Sequence, residues 1–398
     1  MTLLHEAAAI SGEIAELRHA IHREPEIGHE LPRTRDKVLA ALGGLPLEIT
    51  EGSQLTSVTA VLRGGRPGPV VLLRGDMDAL PVTEATGLPY ASRFDGVMHA
   101  CGHDLHTAML AGAARLLSAR QAELPGSVIF MFQPAEEGGH GARMMIEEGV
   151  LAAAGKRPVA AYGMHVQSHQ LGHGVFAVRP GPALAAADRL HVTVRGRGGH
   201  ASAPHHAADP IPAACEMVTA LQTLVTRRFD VFDPVVITVG SFHAGTTDNV
   251  IPDEAEFKTT LRSFSKSSRD RLRDETARLV LDIAAAHGLT AEAEYIPGYP
   301  VTLNDPVEAG FAGDTAAGLF GEARIVTPAA PLTGAEDFSY VLNEVPGAFV
   351  LLGACPPDAD PATAPSNHSA VARFDDGVLA DGAALYAELA LRRLAAGG

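Results

Sequence analysis

The chain has 398 residues, 46% of them hydrophobic and 20% charged, a composition that suits folded domains and leaves no case for disorder. That length exceeds what a single core serves, so two domains are expected. Lys and Arg number 31 against 47 Asp and Glu, and the net charge of -16 argues against a nucleic-acid or anionic-membrane partner.

The opening stretch, MTLLHEAAAISGEIAELRHA, carries acids at amphipathic spacing where a leader would carry a basic and then an apolar segment, so it does not read as a signal peptide. Leu3, Leu4, Ile10, Ile14, Leu17 and Ile21 predict one helix, and a second is predicted over 34–42, ended by Gly43 and Gly44. Apolar runs at 57–62, 69–75, 127–132 and 158–166 read as strands, with helical patterns at 105–119 and 141–149 between them. This alternation predicts an α/β layer around a largely buried sheet. Near residue 185 the pattern changes. An alternating strand at 189–196 precedes a helix at 209–228, strands at 235–242 and 255–264, a helix at 269–288 and a strand at 291–296. That order predicts a ferredoxin-like α+β domain over 185–298, inserted into a first domain made of 1–184 and 299–398. No apolar run reaches the roughly 18 residues that span a bilayer. Cys101, Cys215 and Cys355 make a sparse, odd set, as reduced thiols in a cytoplasm would.

Four segments concentrate chemistry. In MHACGHD, Cys101 and His103 flank one glycine, and a tight turn there aims both side chains at one point. The following helix is expected to start with Asp104 as its N-cap, its positive end favouring a Cys101 thiolate. FQPAEEGGHG delivers Glu136 and Glu137 at the end of a predicted strand, where open α/β sheets place their sites. AYGMHV presents His165 at another strand end, and SNHSA carries His368 in a polar loop. Each has an ordinary structural explanation alone: a buried thiol, a solvated acid pair, a core histidine, a surface histidine. Jointly they offer five N, O and S donors, too many for one tetrahedral structural site and suited to two catalytic metals with an open position. Asp76 and Asp78 of RGDMDALP end a further strand and are placed to accept from the ligand imidazoles. There is no HExxH, no phosphate-binding GxxxxGK and no GxSxG. Gly196, Gly198 and Ala201 fit GxGxxA but fall in the inserted domain, away from a βαβ unit, and are set aside.

GDMDALP, MHACGHD, FQPAEEG, GMHV, GGHASAP and GAEDFS occur in that order, and together they resemble the M20 metallopeptidase family over nearly the whole chain. Within it the resemblance is to the amidohydrolase branch of hippurate hydrolases, N-acyl-amino-acid amidohydrolases and auxin-conjugate hydrolases. It implies a zinc-peptidase-like catalytic domain with an inserted dimerisation or lid domain, a homodimer or tetramer, and two divalent metal ions per subunit. Those ions would be zinc or manganese, with cobalt or nickel also accommodated. Carried over by motif, Cys101, His103, Glu137, His165 and His368 become the ligands, with Cys101 bridging, and Glu136 the general base. His200 becomes the oxyanion stabiliser, while Asn249 and Arg262 hold the substrate carboxylate. The implied activity is hydrolysis of N-acyl-L-amino acids to a carboxylic acid and a free amino acid. The alternative is a dipeptidase or aminopeptidase using the same site. A scaffold that binds conjugates without turnover is a poor fit, because it has no need of a spare carboxylate beside the metal. With site residues on both domains, movement of the inserted one is the expected gate.

Overall fold

Where the sequence shows unbroken apolar runs, the computed structural model, which describes residues 2–397, builds strands buried on both faces. The chain divides into two units, the first holding residues up to Ala183, Leu303–Ala330 and everything from Asp337. It begins with α1 (Leu3–Ala9), α2 (Ser11–His22) and α3 (Pro32–Leu42), followed by β1 (Leu47–Glu51), β2 (Val58–Arg63) and β3 (Arg66–Asp76). A long loop, 77–102, leads to α4 (His103–Ser118), and then come β4 (Pro125–Gln133), α5 (Gly141–Glu147), β5 (Ala160–Gln167), β6 (Phe176–Ala177) and β7 (Gly181–Leu184). The intervening unit contributes β8 (Ala186–Arg195), β9 (Gly199–His200), α6 (Pro210–Arg228), β10 (Val235–Ala244), β11 (Val250–Ile251), β12 (Glu254–Ser263), α7 (Lys266–Ala286) and β13 (Thr290–Tyr299). The chain closes with β14 (Thr302–Asn304), α8 (Pro306–Phe320), β15 (Ile325–Val326), α9 (Ser339–Leu342), β16 (Gly347–Gly353) and α10 (Leu379–Ala395).

The first unit is a mixed α/β structure on an eight-stranded sheet ordered β1-β2-β4-β3-β5-β16-β6-β15. Its centre, β4, β3, β5 and β16, is parallel, so these strands point their carboxyl ends at one edge. Parallel neighbours need crossovers, and the helices that supply them cover the faces. Helix α4 is the most enclosed: residues 103–114 are all buried, between β3, α2 and α10. Gly112 permits that approach, since a Cβ there would meet Ile14 Cδ1 at 2.6 Å and Ala383 Cβ at 3.1 Å.

Two expectations change. The opening periodicity predicts one helix, but the chain breaks at Ile10, where Ser11 Oγ donates to the Ala8 carbonyl at 2.8 Å and Gly12 follows. A hydroxyl and a glycine weaken the helix there, and two helices result. Asp104 is not the N-cap of α4. That position is Gly102, with φ 87° and no side-chain cap, and Asp104 sits in the first turn, fully buried and paired with Arg18 and His22. The ion pair outcompetes the cap because the carboxylate has no water to fall back on.

The second unit is a β-α-β-β-α-β arrangement whose antiparallel strands are ordered β10-β12-β8-β13. Alternation decides its inward face: Leu190, Val192 and Val194 of β8 pack with Met217 and Leu221 of α6 and with Leu272 and Val280 of α7. Each such fully buried side chain contributes roughly 1.5–3 kcal/mol. Asp188 is pinned by Arg269 Nε and Nη2 (2.9 and 2.7 Å) and by the Gly298 N–H. Among the described residues no helix is long and apolar enough to cross a membrane.

Candidate metal centre

Three adjacent parallel strands run out at the same edge of the first unit. Strand β3 ends at Asp76, with Asp78 two residues on, and both side chains are buried. Strand β4 ends at Gln133, after which Ala135 adopts φ 59°, a left-handed conformation that turns Glu136 and Glu137 back over the edge. The backbone N–H groups of Glu136 and Glu137 donate to Asp78 Oδ1 (3.0 Å) and Oδ2 (2.9 Å), so Asp78 fixes the acid pair. Strand β5 supplies His165 near its end. The fourth segment is the Cys101-Gly102-His103 turn, possible because Gly102 takes φ 87°. A Cβ at Gly102 would also meet Val166 Cγ2 at 2.4 Å.

The donors converge. Cys101 Sγ lies 3.3 Å from His165 Nε2 and 3.3 Å from His368 Nε2. Glu137 Oε1 is 3.3 Å from His368 Nε2 and 4.0 Å from His103 Nε2. The ligand atoms of Cys101, His103 and His165 all lie within 4.8 Å of one another, as do those of Cys101, Glu137 and His368, and those of His103, Glu136 and Glu137. Cys101 belongs to the first two triads.

The rings are held in different states. His165 Nδ1–H donates to the Val166 carbonyl at 2.8 Å, which leaves the Nε2 lone pair towards Cys101. Burial, and then the neighbouring His106 ring, keep His165 well below the usual imidazole value and therefore neutral. His368 adopts φ 70°, and its N–H donates to the Ala100 carbonyl at 2.8 Å. Asn367 secures that loop by donating to the carbonyls of Val166 (3.0 Å) and Cys101 (3.2 Å). The His103 ring is fully buried with no well-formed hydrogen bond at either nitrogen, and carboxylates approach it from Asp78 (3.4 Å), Asp76 (3.6 Å) and Glu137 (4.0 Å). Burial opposes charge on His103, yet the Asp76 carboxylate prevails and holds it well above the usual value. Burial, and then the Glu137 carboxylate, push the Cys101 thiol up to about 12. A buried thiol, an unbonded imidazole and an acid pair at one point fit divalent cations, which would displace the protons from Cys101 and His103. The helix end alone does not produce the expected thiolate.

Asp76, His103 and His106 also cluster, but His106 is a support. Its Nδ1 donates to Asp76 Oδ1 (2.5 Å) and its Nε2 accepts the Val166 N–H (2.8 Å), so no lone pair remains for a metal. Beneath lies Arg74, fully buried, donating to Asp76 Oδ2 (2.7 Å), Asp337 Oδ1 (3.0 Å) and Gln133 Oε1 (2.8 Å). Arg74, His106 and Asn367 were not singled out by sequence reasoning; the adjacency of Asn367 to His368 and the i,i+3 spacing of His103 and His106 were the available signals.

The remaining predicted residues lie on the second unit. His200, on β9, and Asn249, just before β11, meet on one small ribbon, where the Ala201 N–H donates to the Asn249 carbonyl at 3.1 Å. His200 Nδ1 accepts from the Ser202 N–H at 3.2 Å, and both His200 and Asn249 are exposed. Arg262, on β12, is half-buried and donates to Thr260 Oγ1 (2.5 Å) and the Leu261 carbonyl (3.1 Å).

A sequence model described as Peptidase family M20/M25/M40 matches residues 72–392. Thermostable carboxypeptidase 2 of Saccharolobus solfataricus is 37% identical over 394 residues, 98% of this chain and 98% of its own. N-acetylcysteine deacetylase of Bacillus subtilis is 39% identical over 346 residues, 87% of this chain and 89% of its own. The crystal structure of the YXEP protein of Bacillus subtilis, described as a dinuclear metal binding peptidase, superposes with a TM-score of 0.83 at 35% identity, covering 98% of this chain and 99% of that one.

Proposed function

The chain belongs to peptidase family M20/M25/M40, and on that premise we propose that it hydrolyses the amide bond of N-acyl-L-amino acids, releasing a carboxylic acid and a free amino acid. The observation that carries this reading is the convergence of two donor triads on Cys101 with a buried carboxylate, Glu136, beside them. Cys101, His103, Glu137, His165 and His368 would hold two divalent ions, zinc or manganese first, with cobalt or nickel suited to the same donors. Bound there, such ions supply Lewis acidity and bring the pKa of a water close to neutrality.

The rest is work for side chains. Glu136 takes the proton of the attacking water and returns it to the leaving nitrogen, which needs a carboxylate beside the ligands and not among them. Asp78 keeps that carboxylate in place through the backbone of Glu136. His200 is assigned to the charge that develops on the carbonyl oxygen, and Arg262, with Asn249, to the substrate carboxylate, which a planar guanidinium fork binds through both oxygens. The second unit is assigned to dimerisation, which sedimentation velocity would read, and three free cysteines suit a reducing cytoplasm.

The carboxypeptidase name among the relatives favours a second reading, a peptidase. The two readings share a minimal substrate, an acylated nitrogen on a residue with a free carboxylate, and differ in what the acyl group is. A mass-spectrometric panel of N-acetyl- and N-benzoyl-amino acids, blocked dipeptides and free dipeptides separates them. We expect free amino acid from the N-acyl substrates, abolished by a strong chelator and restored by added Zn²⁺ or Mn²⁺. Cleavage of dipeptides alone would move the assignment to a dipeptidase or aminopeptidase.

A further inference from the structure

Arg18 and His22 of α2 take no part in the chemistry above, yet they are 0% and 1% exposed and lie four residues apart, on one helix face. Arg18 Nε donates to Asp104 Oδ2 at 2.7 Å, and His22 Nδ1 donates to the same oxygen at 2.8 Å. The far ends of both side chains reach the 77–102 loop. Arg18 Nη1 donates to Tyr90 Oη, and His22 Nε2 lies 3.3 Å from Glu84 Oε1. Glu84 is itself tied down by the Ser92 N–H at 2.7 Å. Asp104 follows His103 directly in the first turn of α4, while Glu84 and Tyr90 belong to the loop that runs into Cys101. Helix α2 therefore grips both arms of the Cys101-Gly102-His103 turn, the helix through Asp104 and the loop through Glu84 and Tyr90.

The geometry points to Arg18 and His22 as positioning residues that set how tightly this turn retains metal, an inference that rests on the metal-centre reading above. The turn pivots on a glycine, the residue least able to hold a conformation by itself, so its precision has to come from what grips its arms. Supports behind metal ligands are worth about 10- to 100-fold in metal affinity when removed. The grip is also charged. Both His22 nitrogens face carboxylates, and only an imidazolium donates from both. The groups facing His22 are Asp104 from α4, Glu84, Tyr90 and His99 from the loop, and Arg18 on its own helix, with Asp376 reached through Arg18 and His19. Burial works against the charge, but Asp104 and Glu84 outweigh it and raise the His22 pKa. A raised folded-state pKa means the grip is complete at low pH and is lost as pH rises through that value.

The test is Zn²⁺ affinity of the full-length protein, by competition with a chromophoric chelator, for the parent, Arg18→Lys, His22→Asn and Asp188→Asn. The last removes a buried ion-pair partner in the second unit and reports generic destabilisation. Arg18→Lys and His22→Asn should bind zinc about 10- to 100-fold more weakly, while Asp188→Asn lowers the melting temperature and leaves affinity within about twofold. The His22→Asn deficit should shrink as pH rises, because the parent then loses the same grip. Parent-like affinity in both α2 variants, or an equal loss in Asp188→Asn, overturns the positioning role. Should Arg18→Lys fail to fold, His22→Asn decides alone. A parent that binds no zinc overturns the metal-centre reading itself, and this inference with it, and that failure is told apart because it appears before any substitution.

Discussion

Asp78 and Glu136 are buried carboxylates at one sheet edge, and their neighbours give them different work. Both Asp78 oxygens are taken by backbone N–H groups, and the His103 ring stands 3.4 Å away, so this side chain is a fixture. Asp78→Ala strands the buried Glu136 N–H, worth about 1–3 kcal/mol, and the part-buried Glu137 N–H. The melting temperature should fall and metal affinity with it; an unchanged melting curve would remove Asp78 from this role. Glu136→Gln preserves shape and removes only basicity. Metal content by elemental analysis should be unchanged while turnover falls at least about 10²-fold, and retained activity would sink the assignment of the base. Glu84 offers a pH prediction. Burial raises its pKa, but His22 and the Ser92 N–H lower it further, to about 2. A depressed carboxylate stabilises the fold above its unfolded value near 4.5 and loses that contribution as pH falls towards 2. Glu84→Gln should therefore flatten the acid limb of the stability profile between those values, by roughly 1–3 kcal/mol. A parallel pair of profiles would show that Glu84 carries no such linkage.

At the scale of elements, the sites sit where one strand, one turn or one loop stops. Strand ends were legible because β3, β4 and β5 are largely buried on both faces and so appear as apolar runs, interrupted near their ends by Arg74 and Asp76, by Gln133 and by His165. The Cys101-Gly102-His103 turn was legible from its glycine. What surrounds that turn was not. Arg18 and Asp104 stand 86 residues apart, and within its own helix Arg18 looks like any solvated polar residue. Asp104 was misread for the same reason, since a local cap is the nearest use for an aspartate at a helix start when its distant partner is invisible. The opening helix was misread because periodicity outlasts a break of one residue. Gly102→Ala tests the turn directly. It imposes a left-handed alanine, about 1–2 kcal/mol, and a contact with Val166 that must give way. Zinc affinity should fall while far-ultraviolet circular dichroism stays native; parent-like affinity would show that the turn tolerates a side chain.

For the whole molecule, all five donor residues belong to one of the two units. A ligand that binds only the folded form stabilises it, by about 2.7 kcal/mol at a hundredfold excess over its dissociation constant. Calorimetry with and without chelator should therefore move the transition of the first unit and leave that of the second, which has its own apolar core, in place. Equal shifts of both would mean that the two melt as one. The donors also fall on both sides of the second unit in the chain. Cys101 and His368 are separated by 267 residues, and Leu184–Thr302 lies between them. During synthesis at about 5–20 residues per second, the last donor emerges roughly 15–50 s after the first. The nascent chain thus lacks its fifth donor until residue 368 has been made, and a stop between His165 and His368 leaves a four-donor remnant that should hold metal loosely and show no turnover.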